Sequence, residues 1–304
     1  MRRLLACFML AWAVAGCAAV QPAATLLLDA APRVAVISAF DAELALLRAQ
    51  TRNARSHRVN GVEFTTGELE GRPVVLLLSG ISMTNAAMNT QLVLDRFKVT
   101  HIDVNPALHI GDVTVPERWA SYLEAVFARE PAPGRFAPPG WMKDATLPNY
   151  GMVHPRPVGV RTARSDKPES RFWFEVDPAM LAAARRLGGV ARGVKLEQCA
   201  AQTACLAHTP VLVFGGSGVS GQAFVDNAAF REYTFKTFDA NVLDMETSAV
   251  AQVAYANGVP YLAFRSLSDL AGGGEGENQI GVFFQIAANN SAQVVLAFLR
   301  HWRP

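Results

Sequence analysis

Two unbroken apolar runs, Val34 to Ile37 and Val74 to Leu78, each give way within a few residues to a segment of helical periodicity. A strand that is apolar at every position has both faces covered, which is the situation in a mostly parallel sheet with helices on either side. The alternation continues along the chain. Arg33–Ser38 reads as a strand and Asp41–Gln50 as a helix. Val59-Asn60-Gly61-Val62 is a hairpin turn, Val74–Leu78 a strand, and Thr84–Phe97 a helix with Met83, Ala87, Leu94 and Phe97 on one face. Further on come a strand at Val211–Phe214, a helix at Asn227–Phe238, a strand at Asn241–Leu243, a helix at Thr247–Asn257, a strand at Tyr261–Ser266 and a closing helix towards Trp302. The expected fold is a three-layer α/β/α sandwich with a mixed, mostly parallel central sheet.

Composition narrows the partners. With 51% hydrophobic and 18% charged residues, the 304-residue chain is neither disordered nor a coiled coil. Its net charge is +2 and no basic run occurs, so nucleic acid is not an expected partner. The stretch from 118 to about 171 interrupts the alternation with eight prolines and with Trp119 and Trp141. It reads as an insertion, either a lid or an interface arm, inside one domain spanning 33–304.

The first residues read as an address. Arg2 and Arg3 precede an apolar stretch from Leu4 to Val14, too short for a bilayer span of about 20 residues but right for a secretory signal. Val14-Ala15-Gly16-Cys17 resembles the bacterial lipoprotein signal. That resemblance implies a signal at 1–16, lipidation of Cys17, a linker over 17–32, and an outer-membrane location facing the periplasm, with the lipid as the chain's one membrane contact. An ordinary cleaved signal, giving a periplasmic protein, is the alternative. Export makes a local disulfide between Cys199 and Cys205 the expected state of that pair. A zinc site is the rival reading, but the six histidines show no ligand spacing, and no metal is expected.

Gly216-Ser-Gly218-Val-Ser-Gly221 matches a dinucleotide fingerprint, which also requires a helix to start inside the motif. Gln222 to Asp226 reads as continuing strand, so no nicotinamide site, and no cofactor, is expected. Four other segments carry possible chemistry. Ser38-Ala-Phe-Asp-Ala-Glu43-Leu44 lies at a strand-to-helix junction, where Asp41 and Glu43 either serve a ligand or favour the helix dipole. Leu243-Asp-Met245-Glu246-Thr-Ser-Ala249 lies at another, with Glu246 either a capping acid or an acceptor for a vicinal diol. Arg265-Ser-Leu-Ser268-Asp269 follows an apolar strand, so Asp269 is expected to be a buried acid with a raised pKa, or else the ion-pair partner of Arg265. Phe224 and Val225 precede a helix, Phe224 being a core residue or a stacking platform.

Taken together and in order, these segments resemble the purine nucleoside phosphorylase and nucleosidase superfamily, most closely its methylthioadenosine/S-adenosylhomocysteine nucleosidase branch and that branch's exported relatives. The resemblance runs from about Arg33 to Arg300. It implies that Glu43 activates water and Asp269 protonates the leaving base, with Ser268 orienting that acid. It also implies that Phe224 and the Val225 main chain hold a purine, that Met245 and Glu246 hold the ribose, and that Arg265 braces the site. A small-molecule purine nucleoside is the implied partner, and a homo-oligomer the implied assembly. A phosphate-dependent phosphorylase and a non-catalytic nucleoside-binding lipoprotein remain as alternatives. One departure stands out. The family carries a Gly-x-Ala-Gly-Gly turn where Ile102-Asp103-Val104 here runs straight into Asn105-Pro106. The expectation is a broken central strand, orphaned buried polar groups, lower stability and weaker catalysis.

Overall fold

A computed structural model of the chain describes residues 26–105, 107–142, 147–188, 194–200, 204–273 and 280–303. The signal, Cys17 and most of the linker therefore lie outside the described residues.

Strand β1 (Asp29–Ser38) carries Val34, Ala35, Val36 and Ile37, all buried, and delivers the chain into α1 (Asp41–Gln50). The hairpin of β2 (Arg52–Val59) and β3 (Val62–Leu69) turns on Asn60 and Gly61, whose φ values of 50° and 82° fit the type I′ turn expected of that pair. After β4 (Arg72–Leu78), α2 (Met83–Arg96) and β5 (Phe97–Asn105) follow without a gap. Phe97 therefore opens a strand rather than closing the helix. The face of α2 that is fully buried carries Ala86, Thr90 and Val93, one position out of phase with the expected one.

The central sheet has the order β2-β3-β4-β1-β5-β13, where β13 is Tyr261–Ala263. Its β4-β1-β5-β13 half is parallel and its β2-β3-β4 half antiparallel, as a mixed sheet requires. Two helix pairs cover it: α1 with α6 (Ile280–His301), and α2 with α5 (Thr247–Asn257). Beside it, a smaller sheet joins β8 (Arg118–Ser121), β9 (Phe174–Glu175), β11 (Ser217–Ser220) and β12 (Ala240–Asp244). Short parallel pairs complete the frame: β7 (Val113–Val115) with β10 (Leu212–Phe214), and β6 (Ala107–Ile110) with β14 (Ser266–Leu267). The strand expected over Tyr261–Ser266 thus breaks at Phe264-Arg265. It continues in a different ladder.

Three sequence expectations need correction. Residues 118–122 are core rather than insertion: Trp119, Ala120 and Tyr122 are buried, and β8 lies between β9 and β11. The prolines begin only at Pro131, and the segment beyond Tyr122 forms hairpins that leave Phe127 and Trp141 exposed. Second, Gln222–Asp226 is not strand. The strand lies inside the glycine motif, at Ser217–Ser220, and Gly218 and Gly221 sit so close to the rings of Trp119 and Tyr122 that a Cβ would fall 2.5 and 2.3 Å from them. Those glycines serve packing. Third, β5 runs through the place of the expected break: after a register shift at Arg33, Val34–Ser38 pairs residue for residue with His101–Asn105 in parallel. Cys199 and Cys205 face each other across a two-stranded ladder and are joined by a disulfide.

The same strand does carry one orphaned polar group. Asp103 sits mid-strand between Val36 and Leu262, fully buried, and neither carboxyl oxygen has a hydrogen-bond partner among the described residues. Burial holds its carboxyl well above the usual carboxylate range. The folded state keeps this proton while the unfolded chain releases it near pH 3.8, so stability falls as pH rises above that value. An unsatisfied buried polar group costs about 1–3 kcal/mol. Asp103→Val is therefore expected to raise the melting temperature by several degrees and flatten its decline with pH. Calorimetry across pH 4 to 8 checks both; an unchanged or lower melting temperature contradicts the account.

Candidate active site

The candidate residues gather where parallel strands end, at the carboxyl edge that α/β sheets offer to ligands. The tip of β1 supplies Phe40 and, one turn into α1, Glu43; the turn after β4 supplies Ile81 and Ser82. β12 ends in Asp244 and passes Met245 and Glu246 to α5, and the chain after β13 supplies Arg265, Ser268 and Asp269. Phe224 and Val225 arrive on the irregular segment between β11 and α4 (Ala228–Phe238). All eight residues singled out in the sequence for catalysis or binding line one cavity of about 1210 Å³.

Asp41 and Glu43 share the first turn of α1, and geometry separates them. Asp41 is exposed and pairs with Arg48 at 3.2 Å, so it is the surface acid. Glu43 is 1% exposed and folds back so that Oε2 accepts the Ala39 amide at 2.8 Å. Burial pushes its carboxyl up to about 8, against the opposing pull of the Arg265 charge and the Ala39 N–H. Glu246 also turns inward. Its Oε1 accepts the Ser82 amide at 2.7 Å, presented from an uncommon left-handed backbone with φ 85°, and Oε2 accepts the Met245 amide at 3.3 Å. Burial, then the Asp244 charge, raises the Glu246 carboxyl.

Arg265 is fully buried among these acids. It bonds Asp244 through Nη2, lies 3.8 Å from Glu246, and has its guanidinium 5.5 Å from the Trp119 ring centre. Asp269 is not its partner. That acid is half-buried rather than buried, and its Oδ1 accepts the Ala271 amide at 2.8 Å while Ser268 Oγ stands 3.5 Å from Oδ2. Phe224 is 57% exposed and belongs to the cavity wall rather than to the core.

Several lining residues went unread in the sequence. Phe40 stacks on Phe284 with ring centres 4.5 Å apart. Nothing local distinguishes Phe284 from the other apolar residues of a 22-residue helix. Asp244 sits directly before Met245-Glu246, and that adjacency is the signal that would have found it. Beneath the wall, Tyr122 donates its hydroxyl to the Ala223 carbonyl at 3.1 Å and packs edge-on against Phe230.

A profile of the phosphorylase superfamily matches residues 33–300. The chain belongs to this superfamily. It is 27% identical over 277 residues to a 5′-methylthioadenosine/S-adenosylhomocysteine nucleosidase of Halalkalibacterium halodurans, covering 88% of this chain and 97% of the relative. Among solved structures, the nucleosidase of the same name from Neisseria meningitidis, in complex with methylthio-immucillin-A, superposes with a TM-score of 0.63 at 24% identity, covering 89% of this chain and 99% of that one. Futalosine hydrolase of Helicobacter pylori superposes with a TM-score of 0.65 at 18% identity, covering 89% and 98%. At these identities the structures speak for the fold alone, and they match the mixed-sheet α/β architecture of this superfamily member.

Because the Tyr122 hydroxyl ties down the segment that carries Phe224, Tyr122→Phe is expected to loosen it. The loss of one such bond is worth about 0.5–1.5 kcal/mol, or up to about tenfold in amide hydrogen exchange across 222–226, with β8 left protected. Exchange unchanged in that segment contradicts the assignment.

Proposed function

We propose that this chain hydrolyses the N-glycosidic bond of purine nucleosides of the 5′-methylthioadenosine/S-adenosylhomocysteine type and releases the base. One observation carries the reading. Glu43, Glu246 and Asp269 reach a single cavity from three different strand ends, together with an exposed aromatic face at Phe224. The relatives' nucleosidase activity supports the same conclusion.

Breaking a glycosidic bond builds positive charge on the sugar and pushes electrons into the base. Asp269, hydrogen-bonded to the Ala271 amide at the cavity wall, is placed to deliver a proton to the base as it leaves, with Ser268 beside it. Phe224 stacks on the purine and the Val225 main chain faces its edge. Glu246, held by the Ser82 and Met245 amides, accepts the ribose diol while Met245 packs against the ring. Glu43 takes the proton of the attacking water. Once Glu43 is ionised, the acids around the single Arg265 guanidinium outnumber its charge, which disfavours orthophosphate and favours water as the nucleophile.

The absent glycine turn supports slower turnover than in relatives that carry it; a rate equal to that of the Halalkalibacterium enzyme under the same conditions would contradict this. Export and anchoring through Cys17 belong to the same reading and are supported by the leader's pattern and the Cys199–Cys205 bond. Assembly as a homo-oligomer is supported by the exposed apolar Ile81 and Met88 on and beside α2.

A base must be ionised to act. With its carboxyl raised to about 8, Glu43 holds a proton at lower pH, so kcat/KM should climb with pH along a limb of apparent pKa near 8. Glu43→Gln and Asp269→Asn should each lower base release by about 10²–10⁴-fold, and Glu43→Gln should abolish that limb. Chromatography of released adenine from 5′-methylthioadenosine, in phosphate-free buffer, measures this. Binding by calorimetry without any product would instead identify a non-catalytic nucleoside-binding protein.

A further inference from the structure

The geometry points to Asp244 as a positioning residue of this site: its negative charge holds the buried Arg265 guanidinium away from Glu246, leaving the Glu246 carboxylate free to receive the sugar. The inference rests on the nucleosidase reading and adds to it a residue that touches neither the base nor the water in that scheme.

Asp244 is the last residue of β12, and one carboxylate there receives four donors. Its Oδ1 accepts the amides of Glu246 at 3.0 Å and Thr247 at 3.1 Å, capping the start of α5. Its Oδ2 accepts the Thr247 hydroxyl at 2.6 Å and also Nη2 of Arg265. The cap fixes where Glu246 begins its helix, and the ion pair fixes where Arg265 lies.

Arg265 makes the second role decisive. The guanidinium is wholly buried, cannot shed its proton, and has no hydrogen-bond partner at Nε or Nη1 among the described residues. A buried cation takes whatever carboxylate is within reach. Besides Asp244, the nearest carboxylate among the described residues is Glu246, now 3.8 Å away and engaged with the Ser82 and Met245 amides instead. Without the Asp244 charge, Arg265 draws Glu246 off those amides and turns it from the cavity.

Capping and charge holding predict opposite orders for two substitutions. Asparagine caps a helix about as well as aspartate but carries no charge, whereas glutamate keeps the charge and is a poor cap. If Asp244 positions Glu246 by holding Arg265, Asp244→Asn raises KM for 5′-methylthioadenosine about tenfold or more and lowers kcat, while Asp244→Glu keeps KM within about threefold of the parent. If Asp244 is only a cap, Asp244→Asn resembles the parent and Asp244→Glu is the worse variant, which overturns the inference. Melting curves identify a variant that does not fold. Should Asp244→Asn fail in that way, Asp244→Glu decides alone: a KM near the parent's supports the inference and a tenfold rise overturns it. Calorimetric affinity for the same nucleoside separates the two readings. A parent that binds but releases no base defeats the nucleosidase reading, and the same order of affinities still tests Asp244. A parent that neither binds nor turns over defeats both.

Discussion

A single buried cation set among three carboxylates organises this site, and the constraint is electrostatic before it is chemical. Arg265 sits wholly out of solvent, with Asp244 bonded to it, Glu246 close by and Glu43 within reach of its field. Burial disfavours the charged form of the inward-turned carboxyls, and the neighbouring acids add to that while the single guanidinium pulls the other way, so some of the protons stay. The raised carboxyls of Glu43 and Glu246 are the consequence. The fold supplies this cluster by ending β1, β12 and β13 at one edge, and no two of the four residues are delivered by the same strand-to-helix turn except Asp244 and Glu246.

The strength of each pattern in the sequence decided what was legible there. The strand–helix alternation was clear because Val34–Ile37 and Val74–Leu78 are apolar at every position, and the turn at Asn60-Gly61 requires the left-handed backbone it adopts. The site was legible as four segments, and its eight residues do share one cavity. Pattern alone could not separate Asp41 from Glu43, since both favour the dipole of α1; only the packed structure turns one outward and the other in. Nor could it place Asp269, which stands half-buried and pairs with a backbone amide rather than with Arg265. Tyr122 and β8 were hidden because a short buried strand beside a proline-rich stretch shares its irregular look. Phe284 was hidden because a long apolar helix offers many apolar side chains, and its neighbour Phe283 is the same residue type.

The direct passage of β5 from Val104 into Asn105, where a glycine turn was expected, leaves the central sheet in place. The parallel ladder through β5 runs without interruption with Val34–Ser38 against His101–Asn105, where each lost hydrogen bond would be expensive in a buried layer. One side chain in that strand, Asp103, is buried with no hydrogen-bond partner among the described residues.

The fate of the sugar tests the central claim most directly. If Glu43 activates water, reaction in ¹⁸O-enriched water with inorganic phosphate present gives a free sugar that carries the heavy oxygen at its anomeric carbon, by mass spectrometry. A sugar phosphate, or a sugar without the label under conditions where its ring does not exchange, would contradict it.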